Sequence, residues 1–297
     1  MYSSRRTQIL KLGLWLSFVI LKSVEGLEWC KLHCPDGSEN TMCKYKPLSG
    51  TNNCTEIRES TTPTVRREML ELHNAFRNAL AGGNIPGWPK AANMKYLTWD
   101  GDLEQLALRW AMQCVSGHDE CRRTKTFDYV GQNFGMIGNT AFYPSSNISF
   151  QGWIDEIKFA TGALVKSFQE GKWVHFSQVG WGNTSKIGCG EIRYLDRQLK
   201  KTAIVCNYGF SGNLFSVEMY TVGEPCSQCP VGMMCQNASI WPNLCTIPHY
   251  VIPRMMESGN QLKLLPNAVP APGRAPSRLK QVIHQVPIAV LIIFSLY

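Results

Sequence analysis

Twelve cysteines and six histidines carry much of the chemistry open to this 297-residue chain. The cysteines fall into four groups: four within 30–54, two within 114–121, two within 189–206 and four within 226–245. An even number placed behind an apolar leader predicts disulfides rather than thiol catalysis. About ten thousand pairings are open to twelve cysteines, so number alone selects none. The last group opens on Cys226-Ser227-Gln228-Cys229, a spacing that would suit zinc in a reducing cell. In an exported chain it reads as a compact disulfide knot. Among the histidines, His73 lies beside the apolar stripe of a predicted helix and reads as a packing or hydrogen-bonding residue. His33 and His249 stand in irregular segments and read as solvated. His175 stands two residues before Ser177, but no orienting acid is evident to make a nucleophile and base of them.

The export reading rests on the first residues. Arg5, Arg6 and Lys11 precede an apolar run from Leu12 to Leu21, with Val24 and Gly26 before a predicted cut. A helix of that length spans about 15 Å, too short to cross a bilayer, so residues 1–26 read as a secretory signal. Four sequons suit the same compartment: Asn53-Cys54-Thr55, Asn147-Ile148-Ser149, Asn183-Thr184-Ser185 and Asn237-Ala238-Ser239. Asn53 is the least favoured, because Cys54 is expected in a disulfide. At the other end, 248–285 is proline-rich and reads as a linker, followed by an apolar tail over 286–297. That tail has two readings. One is a glycosylphosphatidylinositol attachment signal using Gly273-Arg274-Ala275, giving attachment to the cell surface; the other is a hydrophobic tail on a secreted protein.

The net charge of +8 is concentrated at these two ends, leaving a nearly neutral body and arguing against nucleic acid as a partner. With 44% hydrophobic residues, the chain excludes wholesale disorder. Residues 27–60 read as a Cys-rich amino-terminal arm held by bridges rather than by a core. A helix is predicted from Thr62-Pro63, a cap followed by proline in the first turn, with Val65, Met69, Leu72, Phe76 and Leu80 on one face and Gly82-Gly83 as its stop. A second starts at Asp100 and buries Leu103, Leu106, Ala107 and Trp110. A third is expected around 150–168, weakened by Gly162. Residues 130–135 read as a short strand or turn. Period-two patterning predicts strands over 186–195 and 201–207, joined by Asp196-Arg197-Gln198, with Cys189 and Cys206 placed so that a bridge could staple them. Helices on a short antiparallel sheet give an α+β sandwich. Trp99, Trp110, Trp153, Trp173 and Trp181 read as core.

Several segments then occur in order: Glu71-Leu72-His73-Asn74-Ala75-Phe76-Arg77, Met94-Lys95-Tyr96-Leu97-Thr98-Trp99-Asp100, Gly131-Gln132-Asn133, His175-Phe176-Ser177-Gln178-Val179-Gly180-Trp181, Gly188-Cys189-Gly190 and Val205-Cys206-Asn207-Tyr208-Gly209. Together they resemble the CAP superfamily of cysteine-rich secretory, antigen-five and pathogenesis-related proteins. The arm and His118-Asp119-Glu120-Cys121-Arg122 resemble its insect antigen-five branch, the venom allergens. The resemblance implies a disulfide-rich, three-layer α-β-α sandwich, with a CAP domain over 61–222 and a hinge-like knot over 223–247. It implies the pairs Cys30–Cys43, Cys34–Cys121, Cys54–Cys114, Cys189–Cys206, Cys226–Cys235 and Cys229–Cys245.

The family's cleft holds two histidines and two acids. Matched by motif, these become His118, His175 and Glu156, with Gln132 in the fourth position. Two imidazoles and a carboxylate suit Zn²⁺ or another divalent ion, although no cofactor is required. Glutamine does not titrate near neutrality, so it cannot be a general base; it also removes a charge that would offset a metal. Weaker metal binding than in a four-member cleft is therefore expected. The function implied is a secreted, non-enzymatic binding or signalling module, met in saliva, venom or reproductive fluid, whose partner is an extracellular protein or a lipid. The alternatives are sterol or fatty-acid binding, and a metal-dependent hydrolase using His118, His175 and Glu156.

Overall fold

The computed structural model describes residues 28–48, 54–236, 240–248 and 291–292. The expected signal, the linker beyond Pro248, the attachment triplet, the tail apart from Leu291–Ile292, and Asn53, Asn237 and His249 lie outside the described residues.

Two long strands, β4 (Lys186–Asp196) and β5 (Leu199–Gly209), form the centre, joined by the two-residue turn Arg197-Gln198 with Arg197 at φ +57°. Helices α2 (Pro63–Ala81) and α3 (Gly101–Ala111) precede them. On one side of the pair β1 (Cys54–Glu59) runs antiparallel to β4; on the other, β3 (Gly131–Asn139) runs antiparallel to β5. The two-residue β2 (Thr98–Trp99) lies parallel to the start of β4. Leu291–Ile292, β6, pairs with the outer edge of β3.

Both faces of this sheet are buried, and the alternation of β4 and β5 decides what each face meets. Ile187, Cys189, Ile204, Cys206 and Tyr208 pack with Met69 of α2 and with Phe150 and Trp153 of α4 (Asn147–Asp155). Ile192, Tyr194, Ala203 and Val205 pack with Ala107, Trp110 and Ala111 of α3. A side chain at Gly188 or Gly190 would collide with the backbone of α3, so these two positions allow the helix to lie directly on β4. The result is a three-layer α-β-α sandwich.

The caps follow the residue types. Thr62 accepts a hydrogen bond from the Val65 amide at 3.2 Å, and Asp100 accepts from Asp102 and Leu103 at 3.1 and 3.0 Å. Three segments depart from the sequence reading. The arm is not wholly irregular: it holds a short helix, α1 (Thr41–Lys44), and β1, whose Ile57 packs on the sheet. Residues 131–139 are a full strand. The third helix starts at Asn147 and ends at Asp155, giving way to 3-10 turns at Glu156–Phe159 and Gly162–Val165. Ala160 and Thr161 are extended there, and a side chain at Gly162 would strike the Gly87 carbonyl. Helix α5 (Val174–Val179) follows.

Six disulfides join the cysteines in the pairs named above. The sulfur atoms of Cys226, Cys229 and Cys235 lie within 4.8 Å of one another, but all three are disulfide-bonded and offer no thiolate to a metal.

Candidate metal centre

His118 lies in the segment between Cys114 and Cys121, and both cysteines bridge back to the amino-terminal arm. The arm grips this segment further: Thr41 donates its amide to the Cys121 carbonyl at 2.7 Å, and Asn40 donates Nδ2 to the Arg123 carbonyl at 2.9 Å. The arm therefore positions a histidine as well as closing loops.

Gln132 and Asn133 are consecutive on β3, so their side chains leave the strand in opposite directions. Gln132 serves His118. Its Oε1 lies 2.8 Å from His118 Nδ1, and its Nε2 donates to Asp119 Oδ1 and to Asn207 Oδ1, each at 2.9 Å. With the amide so oriented, His118 carries its proton on Nδ1. Asp119 is buried and also accepts from Arg122 Nε at 2.5 Å and from the Thr41 hydroxyl. Although the edge of His118 is exposed, surrounding protein lowers its pKa below the usual histidine range. Desolvation is the main cause, opposed by the Gln132 hydrogen bond and reinforced by the charges of Arg122 and His175.

Asn133 serves the other layer, donating Nδ2 to the His175 carbonyl at 3.0 Å. His175 is in the first turn of α5, and Glu156 meets it there. Glu156 Oε1 accepts from His175 Nδ1 at 2.6 Å, while Oε2 accepts from the amides of His175 and Phe176 at 2.9 and 3.1 Å. No side chain of Trp173 caps this helix; the Glu156 carboxylate does so instead. The indole of Trp153 stacks on the imidazole with centroids 6.2 Å apart and planes 14° from parallel.

Among the described residues, the donor atoms of His118, Glu156 and His175 do not gather within 4.8 Å of one another. Both oxygens of Glu156 are hydrogen-bonded to the first turn of α5, so this carboxylate positions the His175 ring. The two imidazoles are alike in having Nδ1 held by a neighbour. Neither Nε2 has a hydrogen-bond partner among the described residues. A neutral imidazole with Nδ1–H fixed and Nε2 open is the form that binds a divalent metal, so each of these two rings has the chemistry of a metal ligand.

Ser177 donates its hydroxyl to the Val174 carbonyl at 3.1 Å and to Asn213 Oδ1 at 2.6 Å, away from His175. His73 is wholly buried, with Nδ1 2.6 Å from the Met69 carbonyl and Nε2 2.9 Å from the Tyr208 hydroxyl. Burial pushes its pKa down to about 3. Asp119, Asn207 and Trp153 were not singled out as site residues by the sequence reading. Only the position of Asp119, directly after His118, offered a signal.

A family model described as "CAP: Cysteine-rich secretory protein family" matches residues 70–208. "Venom allergen 5" of Polistes gallicus is 36% identical over 207 residues, covering 65% of this chain and 98% of that protein. "Venom allergen 5" of Brachyponera chinensis is 38% identical over 196 residues, covering 62% and 98%. Among solved structures, "Crystal structure of NaASP2 with Zn2+" superposes with a TM-score of 0.51 at 27% identity, covering 62% of this chain and 96% of that one.

Proposed function

Since the chain belongs to the CAP, or cysteine-rich secretory protein, family, we propose that it is an extracellular, disulfide-stapled binding module that holds a divalent metal on His118 and His175 without turnover. Six disulfides support export, because a reducing compartment would not maintain them. The observation that carries the reading is the state of the groups around the imidazoles. Gln132 does not titrate near neutrality, Glu156 spends both oxygens on His175 and Phe176, and the Ser177 hydroxyl turns to Asn213. What remains available is a pair of nitrogen donors. The similar structure of NaASP2 with Zn²⁺ lends further support to that ion.

A bound ion would supply a fixed positive charge on which an acidic partner could be anchored. Isothermal titration of zinc into the secreted protein tests the site: saturable binding is expected, and its persistence in a His118→Ala, His175→Ala double variant would overturn it. Hydrolytic turnover that disappears with a chelator and with His175→Ala would overturn the non-catalytic reading. Sterol retained in native mass spectrometry would shift the partner from protein to lipid.

A further inference from the structure

We propose that Asn183 carries an N-linked glycan, and that this glycan covers the exposed ring of Phe210. The inference rests on the extracellular reading, because the sugar is added only to chains that enter the secretory compartment.

Two sequons lie within the described residues, and their surroundings differ. Asn147 is the first residue of α4, and its Oδ1 is buried without a hydrogen-bond partner. The hydroxyl of Ser149 is likewise buried and unpartnered, and this side chain is pressed against Gly135 of β3. A linkage there would require a glycosylated amide to sit partly inside the fold.

Asn183 is exposed in the turn between α5 and β4. Its Oδ1 accepts from Lys95 Nζ, while Nδ2 has no partner among the described residues. Glycosylation uses Nδ2. That nitrogen attacks the anomeric carbon of a lipid-linked diphosphate oligosaccharide. The N–C bond forms, the C–O bond to the lipid diphosphate breaks, and the amide gives up one proton. Oδ1 is untouched, so the contact with Lys95 survives and orients the linkage.

Beside this turn lies an uncharged segment, Phe210 to Val217, of unusual exposure. Phe210 is 49% exposed and Phe215 is 69% exposed, with Leu214 and Val217 open as well. Phe210 is bound to the sequon: Thr184 donates its hydroxyl to the Phe210 carbonyl at 2.8 Å, and Lys95 Nζ lies 5.9 Å from the Phe210 ring centroid. Lys95 thus contacts both the asparagine and the ring. The apolar C–H face of a sugar packs well on an aromatic ring, so a glycan leaving Asn183 Nδ2 would shield surface that otherwise exposes a sticky patch.

The test expresses the full chain, once with its own amino terminus and once behind a heterologous secretion leader, in cultured eukaryotic cells. Enzymatic deglycosylation in heavy-oxygen water should mark position 183. Ser185→Ala should abolish the mark, and Asn147→Gln should leave it. Unmodified Asn183 in secreted protein would overturn the proposal. A chain retained with its own terminus but marked at 183 behind the added leader would uphold the site and reject the extracellular reading. An apolar dye should bind the Ser185→Ala protein at least twofold more strongly, and Phe210→Ser in that background should reverse the gain. Dye binding equal to that of the glycosylated protein would overturn the shielding role.

Discussion

The carboxylate of Glu156 holds His175 from behind, accepting the ring Nδ1–H at 2.6 Å while its second oxygen closes the first turn of α5. One side chain therefore sets both the tautomer and the backbone of the same histidine. Glu156→Gln should weaken zinc binding by about 10–100-fold, as for other outer partners of metal-binding histidines. It should also cost about 1 kcal/mol as a damaged cap. Titration calorimetry and thermal unfolding read the two effects separately; undiminished affinity would show that His175 is not held through this carboxylate.

Gln132→Glu gives a result that sequence reasoning alone would misread. Restoring the missing acid should strengthen a metal site by charge. Here, however, the new carboxylate would replace an amide that donates to Asp119 and Asn207. Two buried carboxylates within hydrogen-bonding distance repel, so the variant should lose about 2–3 kcal/mol at neutral pH. A protonated Glu can donate again, so the deficit should shrink as pH falls. Melting temperatures of both proteins across pH 4–8 test this, and a constant deficit would reject it.

Acid should also act through His73. Its folded pKa is about 3, whereas an unfolded histidine titrates near 6.5. Below 6.5 the unfolded chain binds a proton that the folded chain refuses, so stability falls as pH is lowered until about pH 3. The slope approaches about 1.4 kcal/mol per pH unit from this residue alone. His73→Gln, which keeps polar atoms but does not titrate, should flatten the denaturation profile between pH 6 and 4. An unchanged slope would assign acid sensitivity elsewhere.

The bridges flanking His118 make a further prediction. Removing Cys34–Cys121 should lower zinc affinity, because it frees the segment that carries His118; removing Cys226–Cys235 in the terminal knot should not. The loss of the long-range bridge should cost about 2–5 kcal/mol of stability. Titrations are compared at a temperature where both variants remain folded, and equal affinities would separate the arm from the site.

Much of this was legible in the residues. The capped amphipathic helices, the two Gly-punctuated strands and the bridge across them were readable because local period and tertiary role agree. The fold's layers and the six pairs came from the resemblance. Other features were hidden for identifiable reasons. The second 3-10 turn begins where Gly162 closely approaches the Gly87 carbonyl, a contact with no local signature. Arg77 is charged, yet wholly buried, and donates to the carbonyls of Lys95, Val179, Trp181, Gly182 and Thr184 rather than to an acid. Glu156 matched a ligand position by motif, but its orientation is set by two amides of another helix.

The stacking of Trp153 on His175 gives the centre its own optical signal. An ion seated on Nε2 would place positive charge on the ring against which the indole lies. Adding zinc to metal-free protein should therefore change the emission of Trp153. The chain has nine tryptophans, so the difference between the parent and Trp153→Phe isolates the one that reports occupancy.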